Sequence, residues 1–473
     1  MSEKNNFIYQ YLIILFFLFF TLIFNPNNKI FFLHSIIFCF VLFILNRHKI
    51  APALFISFFI TSYLPIGKKF IYQILDLSYF SYLKEEYPLG LVEEISLNIS
   101  DIFFIFILFH LARDVFIKKI NIFKLFNKAL LFLSVFIIMS IISSIIKSPN
   151  FLFSLYKLSF FIKILVIYFY LKVNSKSLSK RNFIDLIIII AFFQSYLAIL
   201  QFFNNAPFGK SIESIHNIEI FGKVVDEFYF YYRPTGTFQH ANFLGGFLLI
   251  AISLIIYNIF YLKTRNFFTL ITLIISLITL LITLSRSSFY SLILFLFLII
   301  ISERKRISSL VIKLKKINKI LICIILFFIT IVFSVPLFRL LNIFAAFSSS
   351  GGFYTRFNQA IETFKLILLN PIFGVGPGFS VVEAIKINPN GIFSSFPSSV
   401  HNFYLLTAVE NGLIAFFFFF LFLFFLLKDL LLKEKIISFV LISAIFYGLF
   451  QPTIIISELF FLYAIIKKNE KYF

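Results

Sequence analysis

The chain reads as an all-α polytopic membrane protein, and three observations lead there. Of its 473 residues, 60% are apolar and only 13% are charged, against about 25% charged in an ordinary soluble domain. The mean hydropathy is +0.99. The apolar residues are also gathered into runs close to the roughly 20 residues a helix needs to cross hydrocarbon. Short basic stretches separate many of these runs.

On that length rule, spans are expected near 8–24, 30–45, 51–66, 99–116, 129–146, 153–172, 183–203, 240–262, 267–284, 287–302, 319–341, 401–427, 436–450 and 453–467. The stretch 287–302 and the final pair are short enough to be re-entrant or tilted. The expected architecture is therefore about 12–14 transmembrane helices. No small-residue cleavage site follows the first run, so it reads as a retained span rather than a cleavable leader.

Charge sets the orientation. With the N-terminus in the cytoplasm, the inside loops are 46–50, 117–128, 172–182, 263–266, 303–318, 428–435 and the tail 467–473. Together with Lys4 and Lys319 these hold about 26 of the 42 lysines and arginines. Basic residues resist translocation, so this bias places both termini in the cytoplasm. The strongest anchor is 303–319, with Arg304, Lys305, Arg306, Lys313, Lys315 and Lys316. The net charge of +21 is then a matter of topology, and no nucleic acid is called for.

Three outside segments are long: 67–98, 204–239 and 341–400. Long connections in a compact protein are uncommon and tend to carry function. The organisation expected is one integral membrane domain, 1–473. Within it, 204–239 is a first functional outer loop, and 342–400 is a large loop inserted between membrane helices. The latter has glycine clusters at Ser350-Gly351-Gly352 and Gly374-Val375-Gly376-Pro377-Gly378. Between them a helix is expected over 353–369, ending at Asn370-Pro371; it is placed over the outer face of the membrane.

Several chemistries find no support. Cys39 and Cys323 lie far apart inside apolar runs and read as small buried hydrophobes. No Cys/His spacing suits zinc, no Gly-x-x-x-x-Gly-Lys loop occurs, and the outer doublets Glu85-Glu86 and Glu93-Glu94 lack an Asp-x-Asp pattern. Neither a metal site nor a cofactor is expected. If phosphate is handled, arginines must neutralise it.

Candidate residues stand where spans begin or end on the outer side. Arg286 lies between the runs 267–284 and 287–302 with no acid nearby. A charge beside hydrocarbon either snorkels to the interface or lines a polar cavity. Arg233 follows five aromatic residues, 228–232, and precedes Pro234-Thr235-Gly236. It can stack on the tyrosines, or its planar fork can match phosphate oxygens. Arg356, on the loop helix, reads as a solvated surface arginine when taken alone. His401 opens the span 401–427. It is either structural or, with an ordinary pKa near 6.5, able to take a proton from a hydroxyl. His240, near Arg233, is a supporting candidate.

The order of these residues resembles the O-antigen ligase and O-antigen polymerase superfamily. The resemblance rests on Arg233-Pro-Thr-Gly236-Thr237-Phe238 with Asn242, then Leu284-Ser285-Arg286, then Arg356 ahead of Asn370-Pro371-Ile-Phe-Gly374-Val-Gly376. His401-Asn402 follows, with Glu410-Asn-Gly412. It spans about 230–415; the N-terminal runs share only their hydrophobicity. The resemblance implies metal-independent glycosyl transfer at the periplasmic face of the bacterial inner membrane. The donor would be a glycan on undecaprenyl pyrophosphate. The acceptor would be lipid A-core sugar, a second lipid-linked glycan, or a protein hydroxyl as in an O-oligosaccharyltransferase. It assigns Arg233, Arg286 and Arg356 to the pyrophosphate and His401 to the base. Gly236, Thr237, Asn242, Ser285, Asn402 and Glu410 are supporting positions.

Two other classes fit the composition. In a transporter of polysaccharide or lipid-linked glycan the same arginines would line a path without bond formation. In a structural envelope partner their convergence would be a coincidence. Oligomeric state is not legible in the chain.

Overall fold

The computed structural model describes residues 3–46, 49–75, 91–174, 179–213, 223–226, 229–262, 266–304, 352–454 and 456–466. In chain order the described elements are α1 (Glu3–Phe24), α2 (Asn28–Leu45), α3 (Ile50–Thr61), β1 (Gly67–Leu75), β2 (Leu91–Asn98), α4 (Ile99–Ile117), α5 (Lys128–Lys147), α6 (Phe151–Val173) and α7 (Lys180–Asn204). Then come β3 (Lys223–Asp226), β4 (Tyr229–Tyr232), α8 (Ala241–Tyr257), α9 (Phe267–Ile282), α10 (Arg286–Ser302), α11 (Gly352–Leu369), α12 (Ser380–Ile387), α13 (Ile392–Ser395), α14 (Phe403–Lys433), α15 (Lys435–Gly448) and α16 (Ser457–Ile466).

The fold is helical as expected, and among the described residues six helices are long and apolar enough to cross a bilayer. Thirteen of the fourteen expected spans coincide with a helix. The fourteenth, 319–341, lies outside the described residues. So do most of the basic loop 303–318, the doublet Glu85-Glu86, Cys323, and Ser350 and Gly351 of the first glycine cluster. Two features go beyond an all-α reading. The segments 67–98 and 204–239 each contain a two-stranded antiparallel hairpin, β1–β2 and β3–β4. Their β-branched and aromatic residues suit a pleated strand.

Helix limits follow local chemistry. Asn27, Asn127, Asn150, Ser179 and Asn266 each accept a hydrogen bond from a backbone N–H in the first turn that follows, which satisfies donors a helix start leaves open. The span expected to reach 66 stops at Thr61, just ahead of Leu64-Pro65, where proline disfavours helix in the residue before it.

The centre of the bundle is α8, whose side chains are nearly all buried. It packs against α7, α9, α10 and α15, while α14 runs along α5 and α11 rests on α14. In a bilayer, association relies on close packing and polar pairs rather than on burying apolar surface from water. At one end Lys180 Nζ meets Glu434 Oε1 at 2.5 Å and the Tyr257 hydroxyl at 2.8 Å, and that hydroxyl donates to Glu434 Oε2 at 2.8 Å. This staple joins the start of α7, the end of α8 and the α14–α15 corner. The opposite end carries the candidate residues.

Candidate active site

Three helices begin at that opposite end. His240 immediately precedes α8, Arg286 is the first residue of α10, and His401 and Asn402 precede α14. Each helix start presents open N–H groups and the positive end of the helix dipole. Both imidazoles stand before the first helical residue, outside the spanning segments.

Arg233 is fixed between two of these helix starts. Its Nε donates to the Thr283 carbonyl at 2.9 Å and its Nη2 to Asn242 Oδ1 at 2.8 Å. Asn242 lies in the first turn of α8, and Thr283 ends α9 just before the Leu284-Ser285 turn into Arg286. That turn is tight: Leu284 has φ +54°, an uncommon backbone state for a residue with a side chain.

The loop behind Arg233 is clamped by two glutamines seven residues apart on α7. Gln201 Oε1 accepts from the N–H groups of Thr235 (3.2 Å) and Gly236 (2.8 Å), and its Nε2 donates to the Gly236 carbonyl (3.0 Å) and to Glu213 Oε1 (2.6 Å). Gln194 Oε1 accepts from Thr237 N–H at 3.0 Å, and its Nε2 donates to Thr237 Oγ1 at 2.7 Å. Gly236 sits at φ +59° with its α-carbon facing Gln194, so a Cβ there would be both strained and obstructed. Gly236 and Thr237 therefore hold the loop's shape from behind.

Arg356 is brought to His401 by a third buried glutamine. Gln359, three residues on in α11, donates from Nε2 to the carbonyls of Phe396 (3.2 Å) and Ser398 (3.3 Å), in the segment leading to His401. Arg356 keeps accessible surface, yet burial and then the Arg286 guanidinium lower its pKa.

The imidazoles register the same crowding. Burial lowers His401 to about 3, and the Arg356 guanidinium pushes the same way. Burial likewise takes His240 to about 3, followed by the charges of Arg233, His401 and Arg356. Desolvation and like charge both disfavour the imidazolium. His240 Nδ1 accepts from Asn242 N–H at 3.0 Å, which requires the neutral ring. His401 Nδ1 is buried without a hydrogen-bond partner.

The remaining residues take supporting places. Asn402 caps α14, its Oδ1 accepting from Tyr404 and Leu405 N–H, both at 3.0 Å. Ser285 Oγ, just ahead of α10, pairs with Ser288 Oγ of its first turn at 2.9 Å. Glu410 lies on α14 and accepts from Ser380 Oγ at 2.9 Å, beside a break in the helix. Gly412 has φ 85° and ψ 164°, and the glycine loop fills the gap. Val375 N–H donates to the Val409 carbonyl (2.9 Å), Gly376 N–H to the Glu410 carbonyl (3.0 Å), and Leu413 N–H to the Pro371 carbonyl (2.8 Å).

The structure thus gathers Arg233, Arg286, Arg356, His240 and His401, from four separate stretches of chain, into one electrostatically coupled group. The glutamines 194, 201 and 359 carry no motif. Their one signal is an amide in apolar surroundings, which must find partners. No curated protein matches the chain. Residues 271–420, which contain Ser285, Arg286, Arg356, His401, Asn402 and Glu410, match the family model described as O-antigen ligase.

Proposed function

We propose that the protein transfers a glycan from undecaprenyl pyrophosphate to an acceptor hydroxyl at the periplasmic face of the bacterial inner membrane. The match to the O-antigen ligase family model implies lipid-linked glycan transfer of the ligase or polymerase type. The observation that supports the finer reading is the convergence of three guanidiniums and two neutral imidazoles at three helix starts. The orientation follows the bias of basic residues toward the opposite face.

In the transfer, the acceptor oxygen bonds to the anomeric carbon as the bond from that carbon to the pyrophosphate oxygen breaks. The electron pair leaves with the diphosphate. Arg233, Arg286 and Arg356 stabilise the charge that grows there; a preorganised donor of this kind contributes about 100- to 1,000-fold in rate. The hydroxyl proton goes to a ring nitrogen of His401, worth about 100- to 10,000-fold. With a pKa of about 3 the free imidazole is a weak base. A diphosphate seated among the guanidiniums offsets their charge and raises its basicity, so proton removal becomes effective once the donor is bound. The acceptor is a lipid A-core sugar or a second lipid-linked glycan, and the carrier's tail stays in the bilayer between helices.

The test is reconstitution. Detergent-purified protein with undecaprenyl-pyrophosphate glycan, candidate acceptors and EDTA should yield transferred glycan and free undecaprenyl pyrophosphate. Movement of the lipid across vesicles with no new glycosidic bond would make it a transporter instead.

A further inference from the structure

Arg233 and Arg286 are linked by a residue outside both the matched stretch and the sequence motifs. Gln451 lies in the corner between α15 and α16 and is 2% exposed. Its Oε1 accepts from Asn242 Nδ2 at 3.2 Å, and its Nε2 donates to Ser287 Oγ at 2.8 Å. Asn242 is the residue whose Oδ1 holds Arg233, and Ser287 directly follows Arg286. The same corner grips Asn242 a second time, through Tyr447 OH to the Asn242 carbonyl at 2.8 Å.

The direction of this chain is dictated by its first member. A guanidinium only donates, so Asn242 must turn its oxygen to Arg233 and its amide nitrogen away. Gln451 must then present its oxygen to Asn242 and its nitrogen to Ser287. Each amide has one orientation that satisfies both neighbours, and a buried amide left half-satisfied is costly. The link therefore transmits a single geometry from the start of α8 to the start of α10.

We propose that Gln451 is a positioning residue that sets the separation of Arg233 and Arg286, matching it to the two phosphates of a diphosphate. The proposal rests on the pyrophosphate reading of the site. Gln451 itself need not touch the ligand. Its length is what matters: it spans from Asn242 to Ser287 without a water, so a shorter or apolar side chain frees Asn242 to swing away from Arg233.

The test uses full-length protein in detergent and inorganic pyrophosphate as the probe, with affinity measured by calorimetry and folding checked by thermal melting. Gln451→Met keeps the volume and removes both bonds; it should weaken binding about 10-fold or more, the size expected for a buried hydrogen-bond link to a charged group. Gln451→Glu accepts from both Asn242 and a reoriented Ser287 hydroxyl, and should recover binding to within about 3-fold of wild type. In an Arg233→Ala background Gln451→Met should cause no further loss, because its route to the ligand is gone. Ser287→Ala, which releases the far end of the link, should weaken binding in the same direction and serves if Gln451→Met misfolds. Equal fractional losses from Gln451→Met in both backgrounds would make Gln451 a general scaffold residue and overturn the proposal. Wild-type protein that binds pyrophosphate while the Gln451→Met and Ser287→Ala variants bind equally well would overturn it too, leaving the site reading intact. Wild-type protein that does not bind pyrophosphate would remove the site reading and this inference together.

Discussion

Arg233 donates through Nε to the Thr283 carbonyl, 2.9 Å away and fifty positions along the chain. One guanidinium thereby ties the loop ahead of α8 to the turn ahead of α10, and its plane is set by that bond and by Asn242. A lysine would keep the charge but could not make both contacts from a planar fork. Arg233→Lys should cut the rate of glycan transfer about 100-fold or more, with the protein still eluting as a folded species. Turnover near wild type would show that charge alone suffices.

The imidazoles give the protein a signed pH response. Their folded values near 3 lie below the ordinary 6.5, so the unfolded chain binds more protons as pH falls. Stability is fully present above about pH 6.5 and is lost progressively between there and about pH 3. Melting temperature should fall on acidification from pH 7 to 4, and less steeply in a His240→Gln, His401→Gln double variant. An equal slope would assign the loss to carboxylates.

Catalysis should show a separate pH signature. The profile of kcat/KM reports the free enzyme and that of kcat the donor complex. Because bound diphosphate raises His401, the acid limb of kcat should lie at higher pH than that of kcat/KM. His401→Ala should lower kcat about 100-fold or more; full turnover in that variant would remove the base.

Gly412 tolerates no side chain. It combines φ 85° with an α-carbon that faces the Ile372 carbonyl. Gly412→Ala should cost about 3 kcal/mol, from backbone strain and overpacking together. The readout is loss of the monodisperse peak at lower temperature on heating.

The staple at the other end supplies a contrast. Glu434→Gln removes the carboxylate that Lys180 and Tyr257 share. It should cost about 1–3 kcal/mol of stability and leave the transfer rate of the folded fraction unchanged. A drop in rate would mean that the two ends are coupled.

The membrane spans were legible because hydrocarbon imposes a length, and the arginines and His401 were legible because they interrupt runs that tolerate little charge. Other features left weaker marks. Gln194 and Gln201 look like stray amides within 183–203, and what they hold, the backbone of 235–237, is more than thirty residues away. The break at Gly412 hides inside an apolar window that a hydropathy rule reads as one rod. Asn402 reads as a supporting position, and in the structure it caps α14. Arg356 reads as surface charge and is exposed; what the sequence does not show is that its helix, α11, rests on α14.

The pairing of the glycine loop with the open turn of α14 limits how this protein can be rearranged. An unwound turn inside a packed helix needs its carbonyls satisfied, and here a distant stretch, 371–376, supplies N–H groups. Neither partner is complete alone, so the large insertion is not a detachable cassette. A chimaera that exchanges only this loop with a homologue's would put at risk the donor to the Val409 oxygen and leave the Glu410 oxygen to Ser143 Oγ alone unless α14 travels with it. Variation in that loop is therefore bound to co-inheritance of the rod beneath it.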